Sequence, residues 1–235
     1  MTSRIADLQR FYELMAELDA RTRGKRLLQD CHGRMDWPQR GVYFFFEDEE
    51  MRAHSSDESR VVRIGTHALK AGSRTTLRKR LSQHKGVARS GGGNHRGSIF
   101  RLIVGTALLD RDGLQSVSWD NRQSTAPREI RLAEQPIEQT VSGVIGAMPF
   151  LWLDVDDNAG AESERGVIER ASIAFLSNWR NEPIDPPSDS WLGNYCNRER
   201  VRQSGLWNSN HVDDAYDPRF LDVLERRVEQ MGTRK

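Results

Sequence analysis

The chain has 235 residues, 37% of them hydrophobic, with 35 Lys and Arg against 34 Asp and Glu for a formal charge of +1. This length suits one domain with a sizeable core, and the longest apolar runs, Gly41 to Phe46 and Met148 to Leu153, are strand-sized and far short of a bilayer span. The two cysteines, Cys31 and Cys196, lie far apart, which argues against a disulfide framework or a zinc site; with no apolar signal region in Met1 to Asp7, the expected compartment is a reducing cytoplasm.

Ile5, Leu8, Phe11, Tyr12, Met15 and Leu18 recur at helical spacing. They predict an amphipathic helix over about Ser3 to Ala20 that docks either on the core or on a second subunit. A basic, turn-rich stretch runs to Trp37-Pro38. Gly41 to Phe46 reads as a buried strand, Glu47 to Ser59 as a long polar turn, and Val61 to Gly65 as the next strand of an antiparallel hairpin. Thr75 or Thr76 can cap a helix from Leu77 to about Lys85. Gly91 to Gly93 lack the Gly-Lys-Ser/Thr ending of a phosphate-binding loop. Ser98 to Leu109 fits either helix or strand, and residues 110 to 147 give no clear pattern. Pro149 to Val155 reads as a third strand, Glu164 to Asn178 as a helix, and Pro218 to Met231 as a final helix striped by Phe220, Leu221, Leu224 and Val228.

Charge is distributed unevenly. From Arg60 to Arg101 there is no acid but there are eleven bases: Arg60, Arg63, Lys70, Arg74, Arg78, Lys79, Arg80, Lys85, Arg89, Arg96 and Arg101. His67, His84 and His95 share the window. Such a stretch suits a polyanion, drawn by Coulomb energy and counterion release; a merely solvated basic face is the plainer alternative.

Within this window Arg80 and His84 are one helical turn apart and share a face. An arginine presents several donors to a phosphate, and a histidine moves protons near neutral pH. An ordinary surface helix gives the same pattern. Glu169 falls between Ile173 and Leu176 on its helical wheel, where a carboxylate is costly unless paired or bound to metal. Tyr43 shares a strand face with Phe45, so a core role is open beside a chemical one.

Taken in order, these pieces resemble the GIY-YIG nuclease family. Gly41-Val42-Tyr43 matches the first motif. Arg63-Ile64-Gly65 matches the second, with arginine where the family carries tyrosine. Arg80 takes the arginine position, and His84 resembles the histidine of restriction-type members. Glu169 takes the metal-ligand position, and Asn181 the asparagine, with Asn178 as the competing choice. The resemblance covers roughly residues 41 to 181.

It implies an α+β fold, a three-stranded antiparallel sheet flanked by helices. The expected division is an N-terminal helical extension (1–38), a nuclease core (39–182) with a long insertion at about 102–147, and a C-terminal tail and helix (183–235). It also implies endonucleolytic hydrolysis of double-stranded DNA, restriction-like or in genome defence, by a possible homodimer without membrane attachment. Glu169 would hold Mg²⁺, with Mn²⁺ as substitute, and Tyr43 would activate water while His84 takes the phenol's proton. Arg80 and Arg63 would bind phosphate. His67, Lys70, Lys79, Lys85, His95 and Arg96 are expected to contact DNA. In the tail, Trp191 and Trp207 either bind DNA or lock the tail to the core, and Asn208, Asn210 and His211 are weaker candidates for reading bases. A non-catalytic nucleic-acid-binding module is the alternative.

Overall fold

Side chains alternate along Gly41 to Phe46, and both faces are buried. Val42, Phe44 and Phe46 belong to one hydrophobic cluster, Tyr43 and Phe45 to a second. This strand is therefore the partition of the core. In the computed structural model, which describes residues 3–55, 57–87, 90–121, 123, 125–160 and 162–232, it forms part of a four-stranded antiparallel sheet. The strands are β1 (Arg26–Leu27), β2 (Gly41–Met51), β3 (Ser59–Gly65) and β4 (Pro149–Asp154), in the order β1-β4-β2-β3.

The three expected strands are present, and the fold is α+β. The fourth, β1, was not expected, since two residues are too short to carry an alternating pattern. It is held by pairing of Arg26 opposite Phe150 and by the Arg26 guanidinium over the Trp152 ring, 5.5 Å from its centre. β2 also runs further than expected, through Glu47 to Glu50. The acidic run stays in the strand because Glu50 is buried against Arg60 of β3 (2.7 Å) and Glu47 accepts from the Trp207 indole (2.6 Å).

The first cluster covers one face with α1 (Ser3–Thr22), α5 (Glu164–Leu176) and α7 (Phe220–Gln230). Leu8, Phe11, Met15 and Leu18 of α1 meet Phe220, Leu221, Leu224 and Val228 of α7 inside it. The N-terminal helix thus docks on its own core. Arg4 fastens it by donating to the carbonyls of Phe175 and Ser177 at the end of α5 (2.9 and 2.6 Å). These apolar stripes are consumed within the chain and are not available to a second subunit.

The other face is covered by α2 (Leu77–Lys85), α3 (Ile99–Arg111) and α4 (Arg128–Ala147). Ser98 decides the ambiguous segment in favour of helix: its Oγ accepts the Arg101 amide hydrogen and caps α3. Residues 110–147, unreadable in sequence, contain the 20-residue α4. A short α6 (Glu199–Ser204) lies in the tail. Thr76, of the two candidates, caps α2 by accepting from Lys79 N–H (3.2 Å). Among the described residues no helix is long and apolar enough to cross a membrane.

Candidate active site

Two glycines of the sheet make room for the site. Gly65 lies directly opposite Tyr43 in the β2–β3 pair, and a Cβ there would stand 2.3 Å from the Tyr43 hydroxyl oxygen. The tyrosine ring crosses the backbone at a place only glycine leaves open. A Cβ on Gly41 would meet the Leu153 carbonyl oxygen at 2.3 Å. Neither glycine has the left-handed backbone conformation, so close approach is the reason for both.

The Tyr43 hydroxyl is 2.8 Å from His84 Nε2, and His84 Nδ1 is 2.7 Å from Ser98 Oγ. Tyr43 and His84 are wholly buried. Burial, reinforced by the charges of Arg80, Arg63 and Arg101, holds His84 well below the usual imidazole range. His84 is therefore a neutral base at physiological pH.

In front of this pair lies a cleft of about 450 Å³, whose walls include Arg63, Arg80, Glu169 and Trp207 to His211. Arg63 forms its inner wall. Its guanidinium donates to the Trp207 carbonyl and sits 4.4 Å from the centre of the Phe100 ring, with Tyr43 among its neighbours. Among the described residues its Nε is buried without a partner, and desolvation lowers its pKa. A buried cation with incomplete compensation is a place for an anion. Arg80, half-buried on α2, is held among the described residues by long contacts to Gln83 Oε1 (3.3 Å) and the Gly97 carbonyl (3.5 Å).

Glu169 faces both arginines from α5. Its Oε1 accepts the Thr66 amide hydrogen at 3.0 Å. Burial pushes its carboxyl up, opposed by that hydrogen bond and by the charges of Arg63, His211 and Arg80. An oriented carboxylate in an open cleft suits a hard cation such as Mg²⁺, which takes one or two protein carboxylates and fills its other positions with water and phosphate. Among the described residues no group of three or more His, Cys, Asp and Glu assembles. The donor set at Glu169 is thus of that sparse kind.

The model of the GIY-YIG domain family matches residues 2–234. The chain belongs to the GIY-YIG family. That family is one of nucleases acting on DNA. No curated protein and no solved structure gives a significant match.

In this GIY-YIG chain the remaining predicted residues separate. His67 lines the cleft; its Nε2 meets the Gln39 carbonyl (3.3 Å), and burial with Arg165, Arg80 and Arg40 lowers its pKa to about 4. Lys70 and Lys79 are exposed. Lys85 instead donates to the carbonyls of Gln29 and Cys31 (2.7 and 2.8 Å). His95 is buried, stacked on Trp119 at 4.1 Å and hydrogen-bonded to Glu138 (2.9 Å). Arg96 is bidentate with Glu134 (2.6 and 2.7 Å). These three side chains hold structure together and do not face the cleft.

Neither asparagine of the expected pair reaches it. Asn178 is buried against the tail, donating to the carbonyls of Asp185 and Ser204. Asn181 is exposed and lies outside the cleft walls. The asparagines at the cleft are Asn208 and Asn210. Asn208 pairs its side-chain amide with both Ile64 N–H (3.1 Å) and Ile64 C=O (2.9 Å), and Trp207 N–H donates to Val62 C=O (2.7 Å). The tail thereby closes the open edge of β3 and sets Ser209, Asn210 and His211 on the cleft wall. Trp191 packs 5.0 Å from Trp207 and belongs to the core. Ser98, Thr66 and Ser209 carried no sequence signal of their own.

The acid-free window also divides. Arg60, Arg96 and Arg101 pair in the interior with Glu50, Glu134 and Glu138, all from outside the window. The exposed bases are Lys70, Arg74, Arg78 and Lys79, with Arg80 half-exposed. Arg89 lies outside the described residues.

Proposed function

We propose that this protein is a metal-dependent endonuclease of double-stranded DNA, restriction-like or acting in genome defence. The observation that carries the reading is one cleft where Arg63, Arg80 and Glu169 converge in front of a buried Tyr43–His84 pair.

Arg80 and Arg63 neutralise the scissile phosphate and the charge that grows on it. Arg63 also lies between Tyr43 and the cleft. A phosphate supplies the anion that this buried guanidinium lacks, drawing it toward the cleft and opening the Tyr43 hydroxyl to the attacking water. Tyr43 then takes a proton from water as it passes its own to His84, which burial and three arginines keep neutral and ready to accept. Glu169 would hold one Mg²⁺, or Mn²⁺ in its place, supplying Lewis-acid stabilisation of the phosphate and leaving oxygen. Lys70, Arg74, Arg78 and Lys79 follow the DNA backbone, and Asn210 and His211 are placed to meet bases. Cutting both strands of a symmetric site calls for a homodimer, through surfaces other than the apolar stripes of α1 and α7.

Digestion of plasmid and phage DNA with Mg²⁺ or Mn²⁺, beside Glu169→Ala, tests the proposal. Discrete fragments that vanish in the variant support a sequence-selective nuclease. A smear that vanishes supports nuclease activity and removes the restriction role.

The complete burial of Tyr43 favours a second reading, a nucleic-acid-binding module whose tyrosine is sealed by Arg63. A salt-dependent gel shift with no cutting, and cutting gained in Arg63→Tyr, would identify that case.

A further inference from the structure

We infer that Ser98 is a positioning residue that fixes the tautomer of His84, so that its bare Nε2 faces Tyr43. The inference rests on the reading of Tyr43 and His84 given above.

Among the described residues the Tyr43 hydroxyl has one hydrogen-bond partner, His84 Nε2. The Tyr43 proton is then left to find an acceptor. The ring nitrogen at 2.8 Å, His84 Nε2, is that acceptor. With His84 neutral, a bare Nε2 requires the hydrogen on Nδ1, which lies 2.7 Å from Ser98 Oγ. Ser98 must therefore accept. It accepts already from the Arg101 amide hydrogen, as the cap of α3 (3.3 Å), and a hydroxyl has two lone pairs for the two donors.

The opposite tautomer would make the Ser98 hydroxyl the donor to Nδ1 and leave the buried phenol hydrogen without an acceptor among the described residues; a phenol is the stronger donor and an aliphatic hydroxyl the better acceptor, so the form with its hydrogen on Nδ1 is favoured. When Tyr43 gives its proton to Nε2, the imidazolium keeps its Nδ1–H on Ser98. The proton that leaves Tyr43 is replaced by one from the attacking water, so the balance closes at the tyrosine.

The placement of Ser98 is not accidental to the fold. Arg101, three residues on, donates to the His84 carbonyl (2.9 Å) and to Glu138 (2.5 Å). The start of α3 is thus tied to the end of α2, and the serine that caps one helix reaches the histidine of the other. The charged and titratable groups facing His84 are Tyr43 and Arg63 from the sheet, Arg80 from its own helix and Arg101 from α3.

Nitrogen-15 NMR of the histidine side chains in the whole protein reads the tautomer without reference to activity. The expected result is one imidazole with a protonated Nδ1 and a bare Nε2, assigned by its loss in His84→Gln. Ser98→Ala is expected to mix the tautomers, and Ser98→Thr, which keeps a hydroxyl and a cap, to restore the wild-type pattern.

In cleavage, Ser98→Ala should lower kcat by about 10- to 100-fold, the scale known for the hydrogen-bond partners of metal-bound histidines, with DNA affinity unchanged. Ser98→Asp also caps helices well, but its carboxylate would hold the imidazolium. Its acid limb in the pH–rate profile is expected to move to higher pH. A bare Nδ1 in the wild-type protein overturns the inference, as does a folded Ser98→Ala with wild-type kcat. If the tautomer is as expected but Tyr43→Phe cuts normally, the proton-transfer reading of the site fails while the role of Ser98 in fixing the ring stands.

Discussion

Gly65→Ala is the sharpest structural perturbation of this site. The new methyl would lie 2.3, 2.4 and 2.6 Å from the Tyr43 Oη, Cζ and Cε2. Ordinary contact begins at 3.4 Å, so the phenol must retreat by about 1 Å or push its neighbours aside. It has nowhere easy to go. Its ring is wholly buried, edge-on to Phe45 at 5.7 Å and to His84 at 5.5 Å. Overpacking of this kind costs about 3 kcal/mol. Alanine returns about 0.5 to 1 kcal/mol through the unfolded state, because Gly65 has no left-handed conformation to lose. The net loss of about 2 kcal/mol corresponds to a fall in Tm of roughly 4 to 8 °C for a chain of this size. Activity should suffer more. Moving the hydroxyl by about 1 Å breaks its 2.8 Å contact with His84, and such misplacement costs about 100-fold in rate. Thermal melting followed by circular dichroism gives the first number, and plasmid nicking under single-turnover conditions the second. A Gly65→Ala protein that melts and cuts like wild type would refute the claim that glycine is there for the tyrosine.

Other perturbations have distinct signatures. Glu138→Ala leaves Arg101, fully buried, without its carboxylate, and should lower stability by about 3 to 5 kcal/mol in urea denaturation. Glu169→Gln should abolish cleavage yet raise Tm at neutral pH. The wild-type carboxyl is pushed up by burial, so its contribution is present below the ordinary carboxylate range and lost as pH rises through the folded value. The gain should vanish near pH 4, and Mg²⁺ should raise the Tm of the wild type but not of the variant. His67 is held down from 6.5 to about 4. Its contribution is present above pH 6.5 and is lost as pH falls toward 4, so His67→Gln should narrow the difference in Tm measured between pH 7 and pH 5.

Why some of this was legible in the sequence and some was not follows from where the partners lie. Gly41, Tyr43 and Gly65 are readable because a motif packed into one strand pair leaves its constraints at fixed spacing. Arg80 and His84 share a helix, and their relation is local too. The acid-free window misled for the opposite reason. Arg60, Arg96 and Arg101 find Glu50, Glu134 and Glu138 through the fold, and a local count of charge cannot see a partner 38 residues away.

Two of these pairs hid α4. Its buried residues are Glu134, Glu138, Val141, Ile145 and Gly146, a sound helical period that opens on two acids, so hydropathy alone reads no face. The helix α3 is buried over most of its length, from Phe100 to Leu108, and a segment covered on all sides has no period to show. Asn178 and Asn181 sit at plausible spacing from Glu169, but the chain turns at Ser177. It is the distant Asn208, docked on Ile64, that brings amide side chains to the cleft.

The account stands on Tyr43 acting as a chemical group and not as a piece of core. Its most direct test is Tyr43→Phe, with cleavage of supercoiled plasmid in Mg²⁺ and DNA affinity measured on the same preparation. Removing one oxygen from a buried ring should leave the fold and the binding constant near wild type. The cleavage rate should fall by at least about 100-fold, the lower range for loss of a proton-transfer group. Cleavage at the wild-type rate would contradict the account.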